Sequence, residues 1–391
     1  MKILEGVRIL DFGHYIAGPF CAALLADLGA DVVRIERPKG GDDRYLMPAT
    51  PDGVGAMFLQ ANRNKRAMTL DYARPEGRVV VRRMVAEADI VIANFSSGAL
   101  RHFGLDYDSL KAIRPDIILT TVAAFDQRSD MAEAVGFDGV GQAISGAIHL
   151  TGEPGKPYRS ATSYVDFSTA LAAAFGTLAA FIKRTRTGEG CEVEATLAGT
   201  ALNIMNPVLI EEAMGANRRE PTGNRSPIAG PSDVFAASDG WFIMQVIGKA
   251  MFARWADLVE RPELLSDPRF ADDMARGRNG AALSAIMAQW AAVRTRQDCL
   301  ARLDACNIAA SPVLTPAEVI GGALGLADAY VQTVDYGRAK GVPLVRPPAR
   351  LGGAEITPAP PPGLGEHTEG VLTDYGFSQD EVASLRRDAI I

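Results

Sequence analysis

The chain has 391 residues, 48% of them hydrophobic, enough for two or three cores of ordinary size rather than one. Its 47 acidic and 40 basic side chains leave a formal charge of −7, which argues against non-specific binding to nucleic acid or an anionic membrane; an anionic ligand needs a local basic cluster. Four cysteines (Cys21, Cys191, Cys299, Cys306) and four scattered histidines show neither metal-ligand spacing nor a disulfide framework, so no metal is expected.

In chain order, VRILDF (Val7–Phe12) reads as a short apolar strand, with no charged-then-apolar signal segment before it. Gly13–Ala30 reads as a loop and then a helix, with Pro19 suited to its first turn and Gly29 to its end. The pattern repeats through strand Asp31–Glu36, strand Ala67–Asp71, a helix over Pro75–Ala88, and strands Asp89–Phe95 and Ile117–Phe125. A helix over Asp166–Arg184 and strand Cys191–Ala195 continue it. Strands separated by helices of this length predict right-handed crossovers and a mainly parallel sheet. The richest apolar run, Ala170–Ile182, is too short to cross a bilayer and is interrupted by Gly176 and Thr177. A cytoplasmic protein without a membrane partner is the expectation.

Around Asn217–Gly230 the composition shifts to Arg, Asn, Pro and Gly, a boundary signal. Ser232–Ile247 reads as a hairpin turning at Asp239-Gly240, and helical patterns follow to about Cys306. Gly341–Gly365 is rich in proline and glycine, which predicts an extended wrapping connection, and Ser378–Arg387 reads as a final helix. The expected fold class is α/β: a Rossmann-like large domain (1–216, completed by 326–391) and a smaller α+β domain (217–325).

The strand–loop–helix–strand start outlines a nucleotide-binding unit, but a dinucleotide site needs G-x-G-x-x-G in the first turn. Here Gly13 and Gly18 enclose His14, Tyr15 and Ile16, so a nicotinamide dehydrogenase is a poor reading. Basic residues sit beside strand ends: Arg63, Lys65 and Arg66 at the start of one, Arg37 and Lys39 after another, and Arg101 beyond Asn94. Ligands of open α/β sheets bind at the carboxyl ends of strands, which favours Arg37 and Lys39 as the site of a phosphate-rich anion. Asp166 stands at the mouth of the apolar run. It is either a helix N-cap or a reactive carboxylate, and the two roles are compatible.

The segments LDFGHYIAGPFCAALLADLGADVVRIERP, NKRAMTLD, ADIVIANFSSGAL, GFDGVGQAISG, YVDFSTALAAAFGTLAAFIKRTRTGEG and LGEHTEGVL occur in this order between Val7 and Leu372. As an ordered set they resemble the family III CoA-transferases, which include formyl-CoA and carnitine CoA-transferases and, more distantly, α-methylacyl-CoA racemases. The resemblance implies coenzyme A and acyl-CoA as substrates with a carboxylic acid acceptor, no permanently bound cofactor, and an interlocked homodimer. It matches Asp166 to a nucleophilic aspartate, Asp138 to an active-site glutamate, and Arg37 to a CoA-contacting arginine. Leu70–Ala73 and Asn94–Ser96 (Asn94, Phe95, Ser96) match CoA-contacting stretches, with Arg101 just beyond. Tyr15 and Ile16 fall in the ligand-facing first loop. Ile16 replaces a glutamine of the formyl-CoA transferases, and their glycine-rich loop has no counterpart near Gly248; both differences argue against oxalate and formyl-CoA as substrates.

The implied chemistry keeps the thioester's energy in the protein. A carboxylate attacks the thioester carbonyl, giving a mixed anhydride and then an aspartyl-CoA thioester. The oxyanions need backbone donors, for which Gly139–Gly146 is the candidate, and Tyr164, Phe167 and Phe137 are candidates for excluding water. Gln142, Arg159 and Arg225 are candidates for a second carboxylate. A helix N-terminus favours the Asp166 anion and burial disfavours it. The nearest rival is a racemase, which needs a second acid/base group; the position where such relatives carry a histidine is Phe137. Transfer within one dicarboxylic acid and a catalytically silent CoA-binding subunit are the remaining alternatives.

Overall fold

Six short runs, most of them rich in Val, Ile and Leu, become strands: β1 (Arg8–Asp11), β2 (Asp31–Glu36), β3 (Arg66–Thr69), β4 (Ile90–Ala93), β5 (Ile118–Ala123) and β6 (Glu192–Thr196). They form one sheet in the order β3-β2-β1-β4-β5-β6 with every pair parallel. Such a sheet must be covered on both faces. The helices here are α1 (Ala17–Asp27), α2 (Pro75–Glu87), α3 (Ser97–Phe103), α4 (Asp138–Ile144), α5 (Tyr164–Thr187) and α6 (Leu197–Ala213), of which α1, α2, α3 and α5 give side chains to the cores against the sheet. On one face Leu25 of α1 and Ala170, Ala173 and Ala174 of α5 pack with Ile9, Val32 and Ile118. On the other, Val80 and Met84 of α2 join Val371, Leu372 and Val382 of the C-terminal helices around Leu10, Val33 and Leu119. The strand order reverses between β1 and β4, which leaves a crevice at their carboxyl ends.

The computed structural model describes residues 2–349, 351–352 and 356–391. The chain divides into two compact units, Met1–Ser145 with Ala161–Ile204 and Gly325–Ile391, and Gly146–Ser160 with Met205–Leu324. The second unit therefore takes Gly146–Ser160 and Met205–Ala216, which the sequence assigned to the large domain, in addition to the expected small domain. Its sheet is antiparallel, Ala309–Pro312 beside Gly240–Gln245 beside Ser232–Ala237, and the hairpin turns at Ser238 and Asp239, one residue earlier than expected. Phe242, Trp255, Leu283 and Met287 form its core.

Two expectations need correction. Gly341–Val345 is no loose connection: it lies in a strand, Ala339–Val345, paired antiparallel with Val331–Tyr336. Leu344 packs in a core with Phe58 and Leu59, which holds this strand in place. Arg350 and residues 353–355 of the expected connection lie outside the described residues; from Ala359 onward the chain does run along the open edge of β3. Asn64 N–H donates to the Ala359 carbonyl, His367 N–H to the Ala67 carbonyl at 2.9 Å, and Thr69 N–H to Thr368 Oγ1 at 3.1 Å, closing an edge that would otherwise pair elsewhere. The second correction concerns the apolar run. It belongs to a 24-residue helix, long and apolar enough by length and composition to cross a membrane, but its inner stripe packs on α1 and the sheet.

Candidate active site

The loop after β1 is fixed residue by residue. Gly13 N–H donates to Asp11 Oδ1 at 2.8 Å and its carbonyl accepts from Arg34 Nη1 at 2.7 Å. His14 N–H donates to Asn94 Oδ1 and the Asn94 amide donates back to the His14 carbonyl, both at 2.8 Å. Tyr15 N–H donates to Asp43 Oδ2, which also accepts from Arg34 Nη2 at 2.7 Å. Thus the ends of the two strands at the order reversal are tied to each other. Under them lie three carboxylates (Asp11, Glu36, Asp43) and three cations (Arg34, Arg44, Lys65), all buried and paired. Burial leads in pushing the Lys65 ammonium down to about 8, although it donates to Asp11, Pro19 and Asn62. Arg63 is paired with Asp27 in the interior and Arg66 with Asp31 and Asp374. The Arg63–Arg66 cluster is therefore committed to the fold, whereas Arg37 and Lys39 are exposed.

A cavity of about 270 Å³ opens at this crevice, with Tyr15, Ile16, Asn94, Phe95, Ser96 and Asp166 in its wall. Of the two readings of Asp166 from sequence, the N-cap does not hold: α5 begins at Tyr164 and Asp166 lies in its first turn. The cap comes from another helix. Asp138 Oδ2 accepts from Val165 N–H at 2.8 Å and from Asp166 N–H at 3.1 Å, while the Gln142 amide donates to Asp138 Oδ1. Gly141 makes this possible, since a Cβ there would stand 2.9 Å from Val165 Cγ1; glycine lets α4 approach α5. Burial, and secondly the Asp138 charge, push the Asp166 carboxyl up to about 7. Desolvation and a like charge thus outweigh the helix terminus, which contributes about 0.3–2 kcal/mol.

A second cavity, about 200 Å³, contains Arg37 with Gly40, Gly41 and Asp43, and shares His14 and Tyr15 with the first. The His14 imidazole is pushed below its usual range, first by burial and then by Arg34. Other expected residues fall elsewhere. Arg101 lies in a separate hollow beside Asp106, Asp108 and Glu192. The Leu70 side chain is wholly in the core, and its N–H is held by the Glu36 carbonyl, so it presents no side chain to a ligand. Ala73 is exposed and outside all three hollows. Gly139–Gly146 is largely helical and does not line the Asp166 cavity; Gly136 and Phe137, just before it, do. Phe167 packs edge-on against Phe20 and Tyr164 beside Val165 and Leu197. Gln142 serves Asp138, and Arg159 and Arg225 belong to the second unit. Sequence reasoning missed Glu133, a cavity-lining carboxylate, and Asp43; no local signal marks either.

A doubly wound parallel sheet with a carboxylate of raised pKa at its topological crevice, beside a hollow holding an exposed arginine, defines an α/β enzyme whose ligand is handled at the strand ends. The chain belongs to CoA-transferase family III, whose profile matches residues 4–368, and it is a transferase working on CoA thioesters. It is 33% identical to succinyl-CoA–D-citramalate CoA-transferase of Chloroflexus aurantiacus, over 99% of this chain and 98% of that one. It is 28% identical to formyl-CoA:oxalate CoA-transferase of Streptomyces avermitilis, over the whole of both. Among solved structures, a CAIB/BAIF family protein from Brucella suis superposes with a TM-score of 0.83 at 34% identity, over 95% of this chain and 99% of that one.

Proposed function

We propose that the protein transfers CoA from an acyl-CoA to a carboxylic acid, with Asp166 as covalent carrier. The observation carrying this is the Asp166 carboxyl, pushed up to about 7 in a cavity that adjoins the Arg37 hollow. An exposed guanidinium suits CoA phosphates, and His14 and Tyr15 line both hollows, so the Arg37 hollow lies next to the one that holds Asp166. A Asp166 oxygen attacks the thioester carbonyl and the C–S bond breaks, giving an anhydride and CoA thiolate. The thiolate attacks the aspartyl carbonyl, releasing the donor acid and leaving an aspartyl-CoA thioester; the acceptor acid runs the two steps in reverse. A carboxylate with a pKa near 7 is still about half ionised at neutral pH and is more basic than an ordinary one.

The names of similar proteins point to acyl-CoA donors and carboxylic acid acceptors. Ile16, buried in the cavity wall, offers no amide to a substrate, which weighs against oxalate and formyl-CoA. The test incubates the protein with acyl-CoA donors and a panel of carboxylates and follows new CoA esters by mass spectrometry, comparing wild type with Asp166→Asn. Undiminished exchange in the variant refutes the covalent carrier; inversion of a 2-methylacyl-CoA without an acceptor acid supports the racemase instead.

The working unit we propose is a homodimer. On the outer stripe of α5, Leu171, Phe175 and Ile182 are 50%, 77% and 50% exposed, an apolar row at helical spacing that a second copy would cover. Light scattering that gives a monomer mass at micromolar concentration contradicts this.

A further inference from the structure

We propose that Tyr15 and Phe137 act together as a two-ring cover that keeps water from the acyl-enzyme at Asp166; the proposal rests on the covalent reading above. Both residues line the cavity that holds Asp166. Their rings meet edge to face, with centroids 5.9 Å apart and planes at 86°. Each is nonetheless 40% and 57% exposed, respectively, so the pair stands between the cavity and solvent rather than in a core.

Tyr15 is held there against its backbone preference. Its φ is +63°, a left-handed conformation that a bulky L-residue rarely adopts and that clusters at functional sites. What imposes it is visible. Asp43 takes the Tyr15 N–H, Asp43 is itself fixed by the buried Arg34, and the preceding His14 is bonded on both its N–H and its carbonyl by Asn94. Phe137 is equally constrained, because it immediately precedes Asp138, the residue that holds the first turn of α5. One ring is thus anchored to the buried ion network and the other to the cap of the nucleophile's helix. The two rings meet edge to face, a contact that opens by side-chain rotation without disturbing either anchor.

The chemistry explains why a cover matters. Water competes with the acceptor acid for the aspartyl carbonyl. Its oxygen bonds to that carbon, the C–S bond breaks, CoA leaves as the thiol with the proton, and Asp166 returns as the free carboxyl. The net reaction is acyl-CoA plus water giving acid plus CoA, which wastes the thioester. Excluding water from a reactive intermediate is a recognised task of a closed site.

The test measures a ratio, free CoA released to new CoA ester formed, for wild type, Tyr15→Ala, Phe137→Ala, the double variant and Tyr15→Phe. Removing either ring is expected to raise the ratio about tenfold or more, and the double variant to add little because the rings act as a pair. Tyr15→Phe keeps the ring and is expected to keep the wild-type ratio. The excess hydrolysis should vanish when Asp166→Asn is added, which ties it to the acyl-enzyme. Release and transfer falling in parallel, with the ratio unchanged, overturns the cover and leaves CoA transfer standing. Absence of any new CoA ester with wild type overturns the covalent reading and the cover with it.

Discussion

Replacing Asp166 by Asn should make the protein more stable, and increasingly so as pH rises. The carboxyl is pushed from an ordinary 3.8 to about 7, by burial first and the Asp138 charge second. A folded-state value above the unfolded one means that the acid favours folding only while protonated, and that this is lost as pH climbs through 7. About three pKa units at 1.36 kcal/mol each give about 4 kcal/mol of strain at high pH, an upper figure because the group keeps some contact with solvent. Asn has nearly the same shape and no charge to desolvate. Denaturant unfolding of both proteins at pH 5.5 and pH 8.5 should therefore show the variant's advantage widening by about 2 kcal/mol across that interval. An advantage that stays constant or shrinks as pH rises would mean that Asp166 is not a desolvated acid, and would remove the ground for its reactivity.

Asp138→Asn keeps one acceptor oxygen for the α5 cap but removes the like charge. The ionisation limb of the kcat/KM profile assigned to Asp166 should move to lower pH by on the order of one unit, and an unmoved limb contradicts the coupling. Gly141→Ala places a methyl 2.9 Å from Val165 Cγ1. It should cost about 1–3 kcal/mol, seen as a lower melting temperature, and should lower kcat because Asp138 rides on the displaced helix. Arg37→Ala should raise KM for CoA esters with little change in kcat, while Arg101→Ala, altering a separate hollow, should change KM less. Equal effects in steady-state assays would join the two hollows into one binding track.

The sheet was legible because parallel strands buried on both faces read as short unbroken aliphatic runs, and VRILDF, DVVRIE and DIVIANF are such runs. The crevice follows from the observed strand order, while Asp166 stood out in the sequence only as a carboxylate at the mouth of an apolar run, its reactive role implied by the resemblance. What stayed hidden depends on long-range pairing. NRNKR reads as a solvated basic surface, yet Arg63 and Lys65 are neutralised by Asp27 and Asp11, partners 36 and 54 positions away. Likewise Gly146–Ser160 carries no compositional mark of leaving the first unit, since what moves it is the contact it makes and not its own pattern.

The cap of α5 shows how positioning and reactivity are joined. Any short acceptor side chain could satisfy the first-turn N–H groups, and Ser163, the residue before the helix, makes no such bond. The acceptor is instead a carboxylate, delivered from α4, whose charge works against the anion of the acid it holds in place. For a purely structural cap, Asn would serve as well and would leave Asp166 easier to ionise. A charged cap is intelligible if the protein needs Asp166 both fixed and basic, since raising its pKa increases nucleophilicity while the helix start fixes its direction. The same arrangement makes the first turn of α5 less stable above neutral pH, a cost that falls on the proposed carrier and is offset by the packed sheet beneath it.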